Sequence, residues 1–227
     1  MPILLHLTAV YSNAVLVAIL PQVSQTAEKL HLPIRQPVSL DQVSHFNVSP
    51  YKDFIGGGLW LTNGYWFTYS FGCVNGFHSP DNVFTIQNFD RIERFVGKEN
   101  ITTNDAILLA RSAFTNLGYS LATYRLDNPP TEFQVPADLK GAGHIPFCNM
   151  TWKSPDSILR EASYSASFSV DMQKNQIVGM ALSGTNFWRV DPVIGVAPEA
   201  EADYQKRIHP KMFINTNAPK FLGEKRN

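Results

Sequence analysis

Between Thr102 and Leu182 the hydrophobic positions recur first with the period of a helix and then with that of a strand. Ile107, Ala110, Phe114 and Leu117 fall three or four residues apart, which is one face of an α-helix. Thr102 is placed to cap this helix, with Asp105 three residues on as its reciprocal partner. Gly118 is placed to end it in the left-handed conformation. Further on, Tyr164, Ala166, Phe168, Val170 and Met172 alternate with Ser165, Ser167, Ser169 and Asp171. That two-residue period predicts a strand with one apolar and one polar face. Gln173 to Gln176 reads as a loop, and Ile177 to Leu182 as the return strand.

The preceding chain carries a second set of signals. Ser12 and Asn13 suit the start of an apolar helix that Leu32-Pro33 would end. PIRQPVSLDQVSHFNVSPY, with prolines at 33, 37 and 50, reads as an extended linker holding one helical turn at Ser39. GGGLWLTNGYWFTYSFGCVNGF predicts a β-meander. Asn63-Gly64 suits a two-residue type I′ turn, which needs positive φ at both positions. That loop pairs Trp60 with Phe67 and sets Trp60, Tyr65, Phe67, Tyr69 and Phe71 on one face. Leu59, Leu61, Trp66, Thr68 and Ser70 then share the other. Residues 83–97 read as a short strand and a short helix ended by Gly97. Ser120–Leu126 is a strand that Asn128-Pro129-Pro130 breaks, and His144–Trp152 is another. SPDSILREA reads as a short helical piece, and periodicity is lost beyond Pro192.

The expected fold is therefore α+β, with antiparallel sheets each covered by a helix. Each half offers a helix followed by strands, so two related α-β-β-β halves form a hypothesis. The expected divisions are residues 1–98, residues 99–190 and an irregular tail over 191–227. In the second half, AILLARSAFTNLGY and ASFSVDMQKNQIVGMAL resemble the small PepSY-type or cystatin-like module, in which a helix lies across a curled antiparallel sheet. In the first half, GGGLWLTNGYWFTYSFG is similar to uncharacterised secreted bacterial proteins of like length. The resemblance implies an extracytoplasmic location and a binding or regulatory role, often inhibitory toward proteases. It brings no catalytic residues.

Composition narrows the function classes. Of 227 residues, 44% are hydrophobic and only 17% charged, an ordinary globular balance. Formal net charge is zero, so there is no basic footprint for nucleic acid. Residues 3–20 carry no charged side chain, but no cation precedes them, and the cleavage candidate after Ala27 has Gln25 at the wrong place. Polar residues and Pro21 interrupt the run, which argues against a stable membrane span. A core helix is preferred here over a targeting remnant.

Candidate chemistry is sparse. No HExxH, phosphate loop, GxGxxG or GxSxG occurs, and Gly56-Gly57-Gly58 reads as a bulge before a strand. The six histidines show no metal-ligand spacing, and no cofactor is expected. Cys73 and Cys148 lie on different strands and are either two buried thiols or a disulfide pair. His144 and Cys148 can share a strand face, but about 13 Å apart, too far for thiol activation. The N-x-S/T triplets at Asn47, Asn100 and Asn149 matter only on a secretory route.

The aromatic meander carries the main functional expectation. Its apolar face is either a core wall or a platform on which Trp60, Tyr65 and Tyr69 meet a peptide or a sugar, with Trp66 on the reverse side. Trp188-Arg189, beyond the last strand, is a second candidate contact. The leading expectation is a non-catalytic extracytoplasmic binding module acting on a protein partner or on itself. A structural subunit docking through its terminal segments is the alternative, and a hydrolase of unrecognised type the third.

Overall fold

The structure is a computed structural model that describes residues 9–48, 56–70, 73–83, 92–122, 124–133, 143–153 and 165–183. It contains helices α1 (Ala9–Lys29) and α2 (Thr103–Asn116). Strands are β1 (Val43–Val48), β2 (Gly56–Leu61), β3 (Trp66–Ser70), β4 (Cys73–His78), β5 (Arg125–Glu132), β6 (Phe147–Lys153), β7 (Ser165–Asp171) and β8 (Gln176–Ser183). The α+β expectation holds, but the strands form one sheet rather than several. Its order is β1-β2-β3-β4-β8-β7-β6-β5, and every neighbouring pair is antiparallel.

Local chemistry explains why α2 forms where the pattern predicts it. Thr102 accepts a hydrogen bond from Asp105 N at 3.2 Å, and Asp105 Oδ2 accepts one from Thr102 N at 2.9 Å. Two amide hydrogens that the first turn leaves without helical partners are satisfied this way. At the other end Gly118 adopts φ 90. The Tyr119 amide donates to Phe114 O at 3.2 Å and the Gly118 amide to Thr115 O at 2.8 Å. This is a Schellman closure, and the rings of Phe114 and Tyr119 pack 5.3 Å apart across it.

One face of the sheet meets both helices. α1 contacts β1 and β4, and α2 contacts β6, β7 and β8. Val15, Ile19 and Val23 from α1 and Ala110 and Phe114 from α2 share a core with Leu59, Phe67, Phe77, Trp152, Phe168 and Met180. One face of α1 from Val15 to Ala27 is thus built into the core. A smaller core on the reverse face joins Val83, Ile92, Phe95, Ile145, Phe147 and Val178 at one end of the sheet.

Two sequence expectations need correction, and one open alternative is decided. The supposed linker contains β1, because His45, Phe46 and Asn47 pair with β2 once that strand is present. Asn128-Pro129-Pro130 does not end a strand but lies within β5, with a register shift between Asp127 and Thr131. β5 is an edge strand, where prolines leave no central ladder bond unmade. Of the two readings of Cys73 and Cys148, the structure has the buried thiols, not bridged to one another. They sit on β4 and β6, with β8 and β7 between. Three strand spacings amount to roughly 14 Å, twice the reach of a disulfide. Trp188, Arg189 and the tail over 191–227 lie outside the described residues. Among the described residues no helix is long and apolar enough to cross a membrane.

The β7–β8 turn yields a pH prediction. Asp171 is buried, and its Oδ1 accepts from the amides of Gln173 and Lys174 at 3.0 and 2.9 Å. Burial pushes its carboxyl above the ordinary carboxylate range, against the opposing pull of those amides and of Lys174. An acid with a raised folded pKa stabilises the fold below its unfolded pKa and loses that contribution as pH rises. Asp171→Asn keeps the turn acceptor without the buried charge. Its stability relative to the parent chain, read from urea midpoints, should rise between about pH 3 and about pH 7. A difference that stays flat across that range would refute the assignment.

Candidate functional site

The hairpin joining β2 to β3 decides which rings face where. Leu61 N donates to Tyr65 O at 2.8 Å and Gly64 N to Leu61 O at 3.0 Å. Thr62, Asn63 and Gly64 therefore form a three-residue loop. Of the two expected turn residues only Gly64 takes positive φ, at 88, so the type I′ turn does not form. The extra loop residue moves the register by one, and Trp60 pairs with Trp66 rather than with Phe67. A one-residue slip exchanges the two faces of a strand.

The expected five-ring face is accordingly divided. Tyr65, Phe67 and Tyr69 point into the helix-side core, at 5%, 1% and 1% exposure. Tyr69 Oη donates to Asn47 O at 2.7 Å, and its ring stacks on Phe46 with centroids 5.7 Å apart. Burial raises the Tyr65 hydroxyl to about 12, with the nearby Asp81 adding to the shift. Tyr65 and Tyr69 are therefore core residues and offer no platform. Trp60 and Trp66, both half-buried, lie together on the reverse face. Phe71 lies outside the described residues.

On that reverse face the register aligns His45, Trp60, Trp66 and His78 in one row across β1, β2, β3 and β4. Successive ring centroids are 5.0, 5.3 and 5.0 Å apart. The two indoles are parallel within 6°. Rings stacked from strand to strand stand up from the sheet. Trp66 thus has both faces covered by stacked rings, whereas Trp60 stacks on Trp66 and meets the His45 ring tilted at 55° on its other side. Gly58 makes room for it, because a Cβ there would lie 2.7 Å from both Trp60 Cη2 and Trp66 Nε1. Trp66 Nε1 is buried and has no acceptor among the described residues.

The row continues past β4 with small and polar residues. His78 pairs with Gly179, Gly179 with Ser169, and Ser169 with Asn149. Asn82 is fully buried; its Nδ2 lies 3.0 Å from His78 Nδ1 and fills the space above Gly179. With that amide donating, the His78 proton sits on Nε2. Burial lowers the His78 pKa, favouring the neutral ring. The adjacent row is Asn47, Gly58, Thr68, Gly76, Ala181, Ser167 and Thr151. It is a shelf of hydroxyls and small side chains, with Thr151 and Ser167 hydroxyls 2.8 Å apart. At its margin Asn75 bulges from β4; its Nδ2 donates to Ser70 Oγ at 3.1 Å, and its buried Oδ1 has no donor among the described residues.

Catalytic arrangements find little material here. His144 pairs with Glu99 at 2.8 Å, away from the buried Cys148. Cys73 lines a cleft of about 60 Å³ beside α1 and stands five residues before His78 on β4, roughly 16 Å away at strand rise. Among the described residues no three of His, Cys, Asp and Glu converge on a metal position. Sequence reasoning found Trp60 and Trp66 but set them on opposite faces. It missed His45, Gly58, His78 and Asn82. Only the alternation of β1 could have drawn attention to His45, and the flanking prolines mask it.

Two measurements check this geometry. A parallel indole pair at this spacing gives an exciton couplet in the far-ultraviolet circular dichroism. Gly58→Ala should diminish that couplet while leaving the cooperative unfolding transition intact, and an unchanged couplet would show that the rings do not lean over Gly58. Tyr65 should favour the fold below its ordinary pKa and lose that contribution as pH rises toward 12. Tyr65→Phe should therefore reduce alkaline destabilisation, and equal loss in both chains would refute the buried phenol.

No protein-family model matches the chain, and no curated protein or solved structure matches it either.

Proposed function

We propose that the protein is a non-catalytic binding module, working outside the cytoplasm, that engages a polypeptide partner on the reverse face of its sheet. The observation carrying this reading is the four-ring ladder His45–Trp60–Trp66–His78 beside an uncharged hydroxyl shelf. Sugar platforms need a free ring face for stacking; both faces of Trp66 are taken, and the tilted His45 ring crowds the outer face of Trp60. Ring edges, amides and hydroxyls fit the side chains and backbone of an extended peptide better. Interfaces of this kind favour aromatic anchors and little charge at their centre. The extracytoplasmic part rests on the resemblance of residues 102–183 to PepSY-type and cystatin-like modules.

The same reading takes residues 1–98 and 99–190 as two related halves. Supporting it, each contributes among the described residues a helix and then strands in simple succession, four rather than the expected three. The strand orders β1-β2-β3-β4 and β5-β6-β7-β8 run inward from opposite edges and meet at β4 and β8. An approximate two-fold axis between those strands would relate the halves.

The binding reading is tested by selecting peptides from a random displayed library against the folded chain. Selected peptides should bind with micromolar dissociation constants and shift the indole fluorescence. Trp66→Ala should weaken them at least tenfold, about 1.4 kcal/mol, without loss of fold. Peptides bound equally well by Trp60→Ala and Trp66→Ala chains, or no peptides at all, would reject this face as the contact surface.

A further inference from the structure

The two edges of the sheet are treated differently. β5 carries Pro129 and Pro130, a register shift, and the charges of Arg125 and Asp127. Prolines, bulges and charges are the devices by which sheets keep further strands from adding. β1 reads Val-Ser-His-Phe-Asn-Val, with no proline and no formal charge, and its one bulge, between Val43 and His45, lies at the start of the strand. Among the described residues it ends the sheet. Its core-side residues are also incompletely enclosed. Phe46 and Val48 are half-buried, although they pack on the main core and Phe46 stacks on Tyr69. On the reverse face His45, the last ring of the ladder, is exposed. Both faces of the sheet are thus cut off in mid-pattern at β1.

We infer that β1 is a docking edge for β1 of a second copy of this chain, the two strands pairing antiparallel across a two-fold axis at Phe46. Directly opposite residues of an antiparallel pair share a face, so a symmetric pair must centre on a single residue. Centring on Phe46 pairs Ser44 to Val48 and leaves only Val43 of the strand outside the ladder. Phe46 meets Phe46 of the second copy on the core side, and His45 meets Asn47 on the ladder side. At the centre an apolar position thus faces an apolar one and a polar position a polar one, while Ser44 stands opposite Val48 at both ends. The strand bears no charge and the chain none in net, so two copies meet without repulsion. A charged or proline-bearing partner strand would gain nothing from this edge. Two six-residue strands bury less than a standard interface of roughly 1,600 Å². The dimer should therefore be reversible, with a micromolar dissociation constant.

Sedimentation equilibrium of the full chain across a concentration series tests this independently of any peptide binding. The expected result is a reversible rise from monomer to dimer mass. Phe46→Lys and Ser44→Lys should each return the monomer, and Ser44→Lys alters an exposed position, so its fold should survive. Under mild oxidation Phe46→Cys should form an interchain disulfide, since opposed Cα atoms about 4.5–5.5 Å apart lie within bonding range. Val17→Cys, exposed on α1, should not. A chain that stays monomeric at high concentration overturns the inference. So does a dimer unaffected by both lysine variants, cross-linking of Val17→Cys as fast as Phe46→Cys, or a Phe46 position found covered by another segment of its own chain.

Discussion

The antiparallel pairing of β4 with β8 holds this structure together. It joins strands far apart in sequence through Gly76–Ala181, Phe77–Met180 and His78–Gly179. Closing so long a loop costs chain entropy, which only contacts formed afterwards can offset. The seam supplies such contacts on both faces. Phe77 and Met180 join the main core on the helix side. On the reverse side the small residues let the strands approach closely. A Cβ at Gly76 would lie 2.7 Å from Met180 O, and one at Gly179 would lie 2.4 Å from Asn82 Nδ2. Without the seam, β1–β4 and β5–β8 would each expose an edge and half a core.

The reverse face follows from that seam. At one end the small core around Phe147 and Val178 covers it. Over β1 to β4 the indoles and imidazoles stand in a row, and beyond β4 the row turns polar. Asn82 links these regions by lying over Gly179 and reaching His78. Ring stacking and close packing thus use the same side chains, so the ladder is also part of the sheet's stability. The two edges complete the contrast: proline and charge close β5, whereas β1 ends in the middle of both patterns.

The chain's own pattern carried much of the fold. The capping box of Thr102 and Asp105, the left-handed Gly118 and the alternation of β7 all appear where local chemistry places them. Each depends on residues within one turn or one strand, so periodicity suffices to read them. Elements that depend on partners were misread. β1 was hidden among prolines and needs β2 to pair with, and β5 tolerates Pro129 and Pro130 only because it is an edge. The candidate site suffered most, since its geometry rests on the register of one hairpin.

By itself, then, the sequence determined the two helices, the caps of α2 and the inward face of β7. Those choices are governed by backbone conformation, by short-range hydrogen bonds and by which side chains water rejects. Tertiary structure alone decided that there is one sheet, that Trp60 stacks on Trp66 rather than joining Tyr65 and Tyr69, and that β1 remains at an edge. These rest on pairings between strands, where one extra loop residue at Thr62–Gly64 reverses every side chain beyond it. Local preference barely distinguishes the two registers. Burying Leu61, Tyr65, Phe67 and Tyr69 together in the helix-side core does.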